Sequence, residues 1–212
     1  MPRKALTIFL AGLATMNLFN ATASESGIET PKYAIIEQAD GVELRVYSPR
    51  IVAEVTVAAP SREAASSMGF GPLANYIFGQ NISSDKIAMT APVTTTPQAG
   101  EKIAMTAPVT TAPSESGSYT VRFTMPSKWT METLPKPLDE NVKLVQLEEE
   151  RRIVFGFIGP RTPERIEAAE KALAEFAEAR DLEVAAAPAI AGYSSPRVPQ
   201  ADRKWEVWQD LR

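Results

Sequence analysis

The sequence predicts an α+β domain whose antiparallel sheet curls around its core. Segments with the two-residue alternation of β-strands outnumber segments with helical periodicity, and they follow one another at the short spacing of hairpins. The stretch that begins at Val42 also resembles the stretch that begins at Val142. This offset of about 100 residues is roughly half of the chain, so we expect two related β-β-α halves around one core.

Each of the two similar stretches has the pattern of a strand, a short turn, a second strand, and then a proline and a helix. The first is VELRVYSPRIVAEVTVAAPSREAA, and the second is VKLVQLEEERRIVFGFIGPRTPERIEAA. In the second, the charged run 148–152 offers carboxylates, but neighbouring strand residues point to opposite faces and do not form one site. The run is interpreted as an exposed turn that joins two strands. A chance similarity between two amphipathic hairpins is the alternative.

The helix of the second half has the clearer signals. Thr162 can cap its start, Pro163 suits its first turn, and Glu164 favours the positive end of the helix dipole. An apolar face then continues to about Leu182. Its members are Ile166, Ala169, Leu173, Phe176 and Ala177.

The helix of the first half, predicted over 61–78, is less regular. Gly69, Gly71 and Pro72 interrupt it, so a kink or a break is expected near Phe70. Five further strands are predicted outside the two similar stretches. They are Tyr33–Gln38, Tyr119–Thr124, Glu183–Ala187, Gly192–Ser194 and Trp205–Gln209.

A tandem repeat of 16 residues lies between the two halves. KIAMTAPVTTTPQAGE begins at Lys86, and KIAMTAPVTTAPSESG begins at Lys102. In the second copy, the apolar residues Ile103, Met105 and Ala107 alternate with other residues, which puts them on one face of a strand. The Pro and Gly between the copies suit a loop. The two copies are therefore predicted to form a β-hairpin within the larger domain.

The amino terminus has the pattern of a secretory signal peptide. Residues 1–4 are basic, residues 5–19 are apolar and uncharged, and Ala21-Thr22-Ala23 has the small-x-small pattern of a cleavage site. We expect residues 1–23 to be removed and residues 24–212 to form one domain outside the cytoplasm, in the periplasm or the extracellular medium. An uncleaved anchor is the alternative, although the apolar run is shorter than the roughly 20 residues that span a membrane.

Composition excludes several classes of function. Removal of residues 1–23 leaves 20 basic and 26 acidic residues, a net charge of −6, which gives no electrostatic reason to expect a nucleic-acid or anionic-membrane partner. No later segment is apolar enough to span a membrane, so stable membrane insertion is not expected. The chain has no His and no Cys, so Ser-His-Asp and Cys-His nucleophiles, ordinary zinc sites and disulfides are excluded. No clustered carboxylates suggest a metal site or an acid–base pair. A non-enzymatic protein is expected.

One set of apolar residues could bind a ligand. Met68, Phe70, Leu73, Ala74 and Ile77 are spaced in threes and fours along the first predicted helix. They could simply face the core, or part of this surface could line a groove for a flat apolar ligand. Tyr193 could add ring surface or a phenol.

Four ordered blocks then resemble the SOUL haem-binding family, over about residues 31–211. They are GF-x-x-L-x-x-YIFG-x-N from Gly69, KIAMTAPV, FTMPSKWTMETLPKP from Phe123, and GYSSP-x-x-P from Gly192 leading into RKWEV. The resemblance implies a twisted antiparallel β-barrel of two β-α-β-β halves flanked by two helices. It also implies that haem or a related tetrapyrrole binds in a shallow apolar groove beside the first helix.

Carried over to this sequence, the groove comprises Met68, Phe70, Leu73, Ala74, Ile77 and Tyr193, with Arg62 and Lys86 as candidate partners of the haem propionates. Some members of the family hold the iron through a histidine, which this chain lacks. The expected function is a non-catalytic haem carrier or buffer that binds by apolar contact. The alternatives are a binding module for another apolar small molecule, and a structural or protein-interaction domain with the Thr/Pro-rich hairpin as its contact element.

Overall fold

A computed structural model of the chain describes residues 28–83, 100–114, 117–195 and 197–212. The predicted signal peptide and residues 86–99 of the first repeat copy lie outside this part of the chain. Across the described ranges, no helix combines the length and the apolar character that a membrane crossing requires.

The described residues form eleven strands and two α-helices. In chain order they are β1 (Tyr33–Ala39), β2 (Val42–Tyr47), β3 (Arg50–Ala58), α1 (Arg62–Ile77), β4 (Asn81–Ile82), β5 (Val109–Pro113), β6 (Ser118–Thr124), β7 (Lys136–Pro137), β8 (Lys143–Leu147), β9 (Glu150–Ile158), α2 (Pro163–Glu178), β10 (Ala189–Gly192) and β11 (Lys204–Asp210). The 3-10 helix Gln200–Asp202 precedes β11. Mixed helices and strands confirm the predicted α+β class.

Nine strands form one antiparallel, curled sheet, and β4 and β7 form a separate pair. The order is β1-β2-β9-β11-β10-β5-β6-β3-β8. At its centre, β9, β11 and β10 follow residue 149 in the chain, and β5, β6 and β3 precede residue 125. The sheet is a half-barrel with two helices, whereas a full barrel of two β-α-β-β halves stays a prediction.

The two similar stretches do not form the hairpins that the sequence predicts. β2 pairs with β9 instead of β3, and β3 pairs with β8. Tyr47 lies opposite Glu150 and Arg50 lies opposite Leu147, so both ladders share one register across the short breaks at 48–49 and 148–149. Strand alternation fixes which face a residue occupies but does not identify the partner strand. Each half therefore pairs with the other half.

The predicted second helix is confirmed, with a different end. Thr162 is the N-cap residue of α2 and Pro163 is its first residue, although the Thr162 side chain makes no capping hydrogen bond. Four residues of the predicted apolar face are buried, namely Ala169, Leu173, Phe176 and Ala177. The helix ends at Glu178, four residues before Leu182.

Of the kink or break predicted near Phe70 in the first helix, the break is wrong, and a kink stays a prediction. α1 is continuous from Arg62 to Ile77, with Pro72 inside it and the Ser61 hydroxyl capping the amide of Ala64. Gly69 has a packing role, because a Cβ at this position would lie 2.5 Å from Cγ2 of Val121 on β6. The glycine thus allows α1 to approach the sheet closely.

Three of the five further strands are confirmed within one residue, as β1, β6 and β11. The strand predicted over Gly192–Ser194 is displaced, since β10 ends at Gly192. The strand predicted over Glu183–Ala187 is wrong, because only Val184 forms a single bridge, with Leu211.

The hairpin predicted for the two repeat copies is wrong in its second arm, and its first arm lies outside the described residues. In the second copy only Val109–Pro113 is a strand, β5, and it has β6 on one edge and β10 on the other. Residues 101–108 are not a strand, and the predicted alternation fails because Met105 is 41% exposed while Thr106 is buried.

Both helices lie on one face of the nine-stranded sheet. Residues directly opposite each other on neighbouring strands share a face, and Val121, Thr111, Ile190 and Val207 are linked in this way from β6 to β11. Val121 packs in the cluster with α1, and Val207 packs in the cluster with α2. We call this side the helix face. The opposite side, which carries Arg45, Arg152 and Glu206, is the polar face.

Candidate functional site

The polar face contains a buried ion pair between β2 and β11. Arg45 is 5% exposed and Glu206 is 1% exposed. Arg45 Nη1 donates to both carboxylate oxygens of Glu206 at 3.1 and 3.2 Å, and its Nη2 donates to Oε1 at 3.2 Å. Oε2 also accepts from the hydroxyl of Tyr193 at 2.6 Å and from Nε1 of Trp208 at 2.7 Å. One buried carboxylate thus joins three side chains.

Aromatic rings surround the Arg45 guanidinium. Its Nη1 donates to the Tyr47 hydroxyl at 3.0 Å, its Nε bonds Glu43 at 2.6 Å, and its Cζ lies 4.2 Å from the centre of the Tyr33 ring. Burial alone lowers the pKa of Arg45, but the Glu206 charge and the two tyrosines offset this, and the pKa stands above its ordinary value. The arginine therefore stays charged.

A second arginine, Arg152 on β9, extends the polar network. It is 4% exposed, its Nε bonds Asp210, and its Nη2 bonds Glu150 at 2.8 Å. Glu150 also pairs with Arg50 at 2.5 Å. The exposed turn predicted over 148–152 is therefore wrong at its end: Glu150–Arg152 begin strand β9. Local alternation does not show that this face is covered.

The side chains of the polar network pack closely together. The cavity beside Arg152 and Trp208 holds only about 30 Å³, far below the roughly 300 Å³ at which small-molecule sites begin. Burial raises the pKa of Tyr47, and burial together with the Glu206 charge raises the pKa of Tyr193, so both phenols stay protonated at neutral pH. The network is a structural core and offers no room to a ligand.

A much larger cleft, of about 540 Å³, opens at the junction of three segments. These segments are 29–32 before β1, the break 48–51 between β2 and β3, and the loop 124–132 after β6. Its apolar side chains are Ile51, Met125, Trp129 and Met131, together with Pro31, Pro49 and Pro126. The volume lies within the range of roughly 300–1,000 Å³ of small-molecule sites.

Charged groups stand around this apolar surface. Lys32 and Arg50 line the cleft, as do Glu29 and Glu132. Burial, followed by the neighbouring charge of Arg152, lowers the pKa of Arg50, which nevertheless pairs with Glu150. Glu29 accepts from the amide of Ser127 at 2.9 Å, which ties the 29–32 segment to the opposite loop. The cleft is therefore an apolar surface edged by two basic and two acidic groups.

The structure does not bring the six predicted site residues to one surface. Leu73 and Ile77 are 0% and 1% exposed inside the α1 core cluster, and Ala74 is also buried. Phe70 is half-buried, with its ring 5.3 Å from that of Phe123. Met68 is 52% exposed. Their assignment to a ligand stays a prediction.

The other predicted contacts lie elsewhere. Tyr193 packs on the polar face beside Trp208, in a different cluster from α1. Arg62 donates to the carbonyl of Pro188 at 3.0 Å and lies 3.7 Å from Glu170. Lys86 lies outside the described residues.

The cleft was missed at the sequence level, although a signal for it existed. Trp129 and Met131 belong to the block from Phe123 that carries the family resemblance, yet we assigned no ligand contact to them. A tryptophan and two methionines lie close together there, in a stretch rich in Pro and Thr that the sequence assigns to neither a strand nor a helix. That combination could have indicated an apolar surface.

The cleft fits a tetrapyrrole in part. Its apolar side chains can cover a flat ring, and Lys32 can pair with a propionate. Iron ligation has fewer candidates, since the chain has no His or Cys; the thioethers of Met125 and Met131 line the cleft, and methionine is a known haem ligand. Within the described ranges, no three Asp or Glu residues gather as a metal site.

Comparisons with known proteins agree with this architecture. The sequence profile of the SOUL heme-binding protein family matches residues 28–101 and 96–210. Human heme-binding protein 2 is 29% identical over 194 residues, which cover 88% of this chain and 87% of the human protein.

Solved structures with the same fold are more distant in sequence. The C-terminal domain of EcmrR superposes with a TM-score of 0.56 at 11% identity, over 81% of this chain and 96% of that domain. A hydrolase from Listeria innocua superposes with a TM-score of 0.53 at 15% identity, over 84% of this chain and 94% of that chain. At such identities the likeness concerns the fold alone. The family match, by contrast, extends over nearly all of the described residues, and the chain therefore belongs to the SOUL haem-binding family.

Proposed function

We propose that this protein binds haem or a related tetrapyrrole without catalysis, as a carrier or buffer outside the cytoplasm. The observation that carries the proposal is the cleft of about 540 Å³, whose apolar side chains are edged by charged groups that include Lys32. Family membership supports the ligand class. The amino-terminal pattern of residues 1–23 supports export.

Binding would rest on apolar contact. Trp129, Met131 and Ile51 offer ring and aliphatic surface, and each Å² removed from water contributes about 25 cal/mol before the costs of association. Lys32 would pair with a carboxylate of the ligand at the rim. When bound, haem would supply its own iron chemistry, whereas these residues hold and orient it.

Substitutions at two positions can decide whether the ligand binds in the cleft or on the surface beside α1. Met131 is 41% exposed in the cleft, and Met68 is 52% exposed on α1. Both side chains are exposed enough for a charged replacement to leave the fold intact. Met131→Glu should weaken binding at least about tenfold if the cleft is the site, and Met68→Glu should do so if the α1 surface is.

The test is a titration of the purified protein with haemin and, in parallel, with protoporphyrin IX, followed in the Soret region. A saturable change with both ligands that Met131→Glu weakens supports binding in the cleft by apolar contact. A change with haemin alone indicates an iron ligand, and Met131→Leu and Met125→Leu then identify it. Loss in Met68→Glu alone moves the site to α1. No saturable change with either compound contradicts the proposal, and a dye screen then tests the other apolar ligands.

A further inference from the structure

The tandem repeat duplicates an element that the fold uses once. Residues 86–97 and 102–113 are identical at 11 of 12 positions and differ only at Thr96 and Ala112. The second copy provides β5 and the stretch that leads into it. The family profile matches the chain up to residue 101 and again from residue 96, so each match contains one copy.

The residues through which the second copy contacts the rest of the fold recur in the first copy. Ile103 is 3% exposed in the α1 cluster, and its amide bonds the carbonyl of Ile77 at 2.8 Å. The amide of Ala107 bonds the carbonyl of Glu29 at 3.0 Å, and the hydroxyl of Thr106 bonds the carbonyl of Thr124. The first copy has Ile87, Thr90 and Ala91 at these positions.

The flanks of the two copies are also alike, with one exception. The amide and carbonyl of Glu101 bond the side chain of Asn81, and Asp85 carries the same backbone groups. Gly100, however, corresponds to Ser84. A Cβ at position 100 would overlap the carbonyl oxygen of Gly79. This position admits only glycine without a local shift, and it favours the second copy.

We propose that the two copies compete for this one place, so that residues 86–97 can replace residues 102–113. The second copy is the major occupant, because Gly100 fits where Ser84 would clash. The exchange would move the 16 extra residues from the connection before β5 to the loop between β5 and β6. It would leave the cleft wall unchanged, since Thr106, which lines the cleft, has the identical counterpart Thr90. The inference does not depend on the ligand.

The test compares matched substitutions in the two copies by urea unfolding. Ile103→Asp should shift the midpoint only modestly, because the first copy replaces the damaged one. Ile87→Asp should leave the midpoint unchanged. The double variant should lose far more than the two single losses together, because no intact copy is left. Adding Ser84→Gly to Ile103→Asp should restore part of the loss. The proposal is wrong if Ile103→Asp is as unstable as the double variant and adding Ser84→Gly to Ile103→Asp restores nothing.

Thiol labelling provides a second measurement, because the chain has no Cys and an introduced one is unique. Thr90→Cys should react readily in the otherwise unchanged chain and become protected when Ile103→Asp is added. Thr106→Cys should behave in the opposite way. A Thr90→Cys thiol that reacts equally fast in both backgrounds would overturn the exchange.

Discussion

The two faces of the sheet are supplied by the same strands, yet they are stabilised by different interactions. On the helix face, Val42 and Leu44 of β2 pack with Leu173 of α2 in an apolar cluster. On the polar face, the intervening residues Glu43 and Arg45 join the network around Glu206. Leu44 and Arg45 are both 5% exposed.

On these strands, residues that alternate between apolar and polar do not alternate between buried and exposed. A half-buried strand with this pattern would leave its polar side in water. Here the sheet curls, so the polar side is enclosed as well. Its charges must then be paired, because an isolated buried charge is very costly.

The largest effect should follow from breaking the polar face. Glu206→Leu leaves Arg45 without its buried partner and removes the acceptor of Tyr193 and Trp208, so we expect a loss of about 3–5 kcal/mol in the free energy of unfolding. Urea unfolding measures it. Glu37→Leu is the matched control on a strand, because Glu37 is 45% exposed in its pair with Arg180 and should cost no more than about 1 kcal/mol. Equal losses in the two variants would mean that the polar face is not a buried core.

A smaller loss of stability should distinguish the packing of α1 from the packing of α2 on the helix face. Gly69→Ala adds a Cβ that meets Val121 at 2.5 Å, so we expect a loss of about 1–3 kcal/mol by overpacking, although alanine favours helix by up to about 1 kcal/mol. The position 100 residues later is Ala169, which is fully buried on α2. Ala169→Gly tests whether α2 lies at a more usual distance from the sheet than α1 does. A stabilised Gly69→Ala variant would show that α1 can move away from the sheet.

The smallest effect is a dependence on alkaline pH. Burial raises the pKa of Tyr47 and Tyr193 in the folded state, whereas in the unfolded chain the pKa is about 10. Above pH 10 the unfolded chain loses these protons first, so stability should fall as pH rises, by at most about 1.4 kcal/mol per pH unit for each tyrosine. Unfolding midpoints between pH 8 and 11 measure the slope. Tyr193→Phe should reduce this slope, and an unchanged slope would exclude Tyr193 as a source.

How far the sequence predicts the fold depends on whether the signal is local. The start of α2 follows from Pro163, and its buried face follows from the spacing of Ala169, Leu173 and Phe176. The partners of β2 and β3 do not follow, because alternation is identical for every candidate partner. The packing role of Gly69 in α1 does not follow either, because it depends on the close approach of Val121, which lies 52 residues away in the chain.

The candidate site was less predictable than the fold. Spacing along α1 selects Leu73 and Ile77 correctly as one face of a helix, but it does not distinguish a groove from a core. The cleft forms where three distant segments meet, around Lys32, Arg50 and Trp129. Such a junction has no local pattern. Only the methionines and the tryptophan of the 124–132 loop indicated it.

The crossed pairing of the two halves has a consequence for folding. Tyr47 emerges during synthesis about 100 residues before its partner Glu150. Neither half can complete its ladders alone, and long loops must close before β2 and β3 gain any partner in the second half. While only the first half has been translated, the edges of β2 and β3 that later pair with β9 and β8 are open. They can then associate with the edges of other chains until the second half has folded against them.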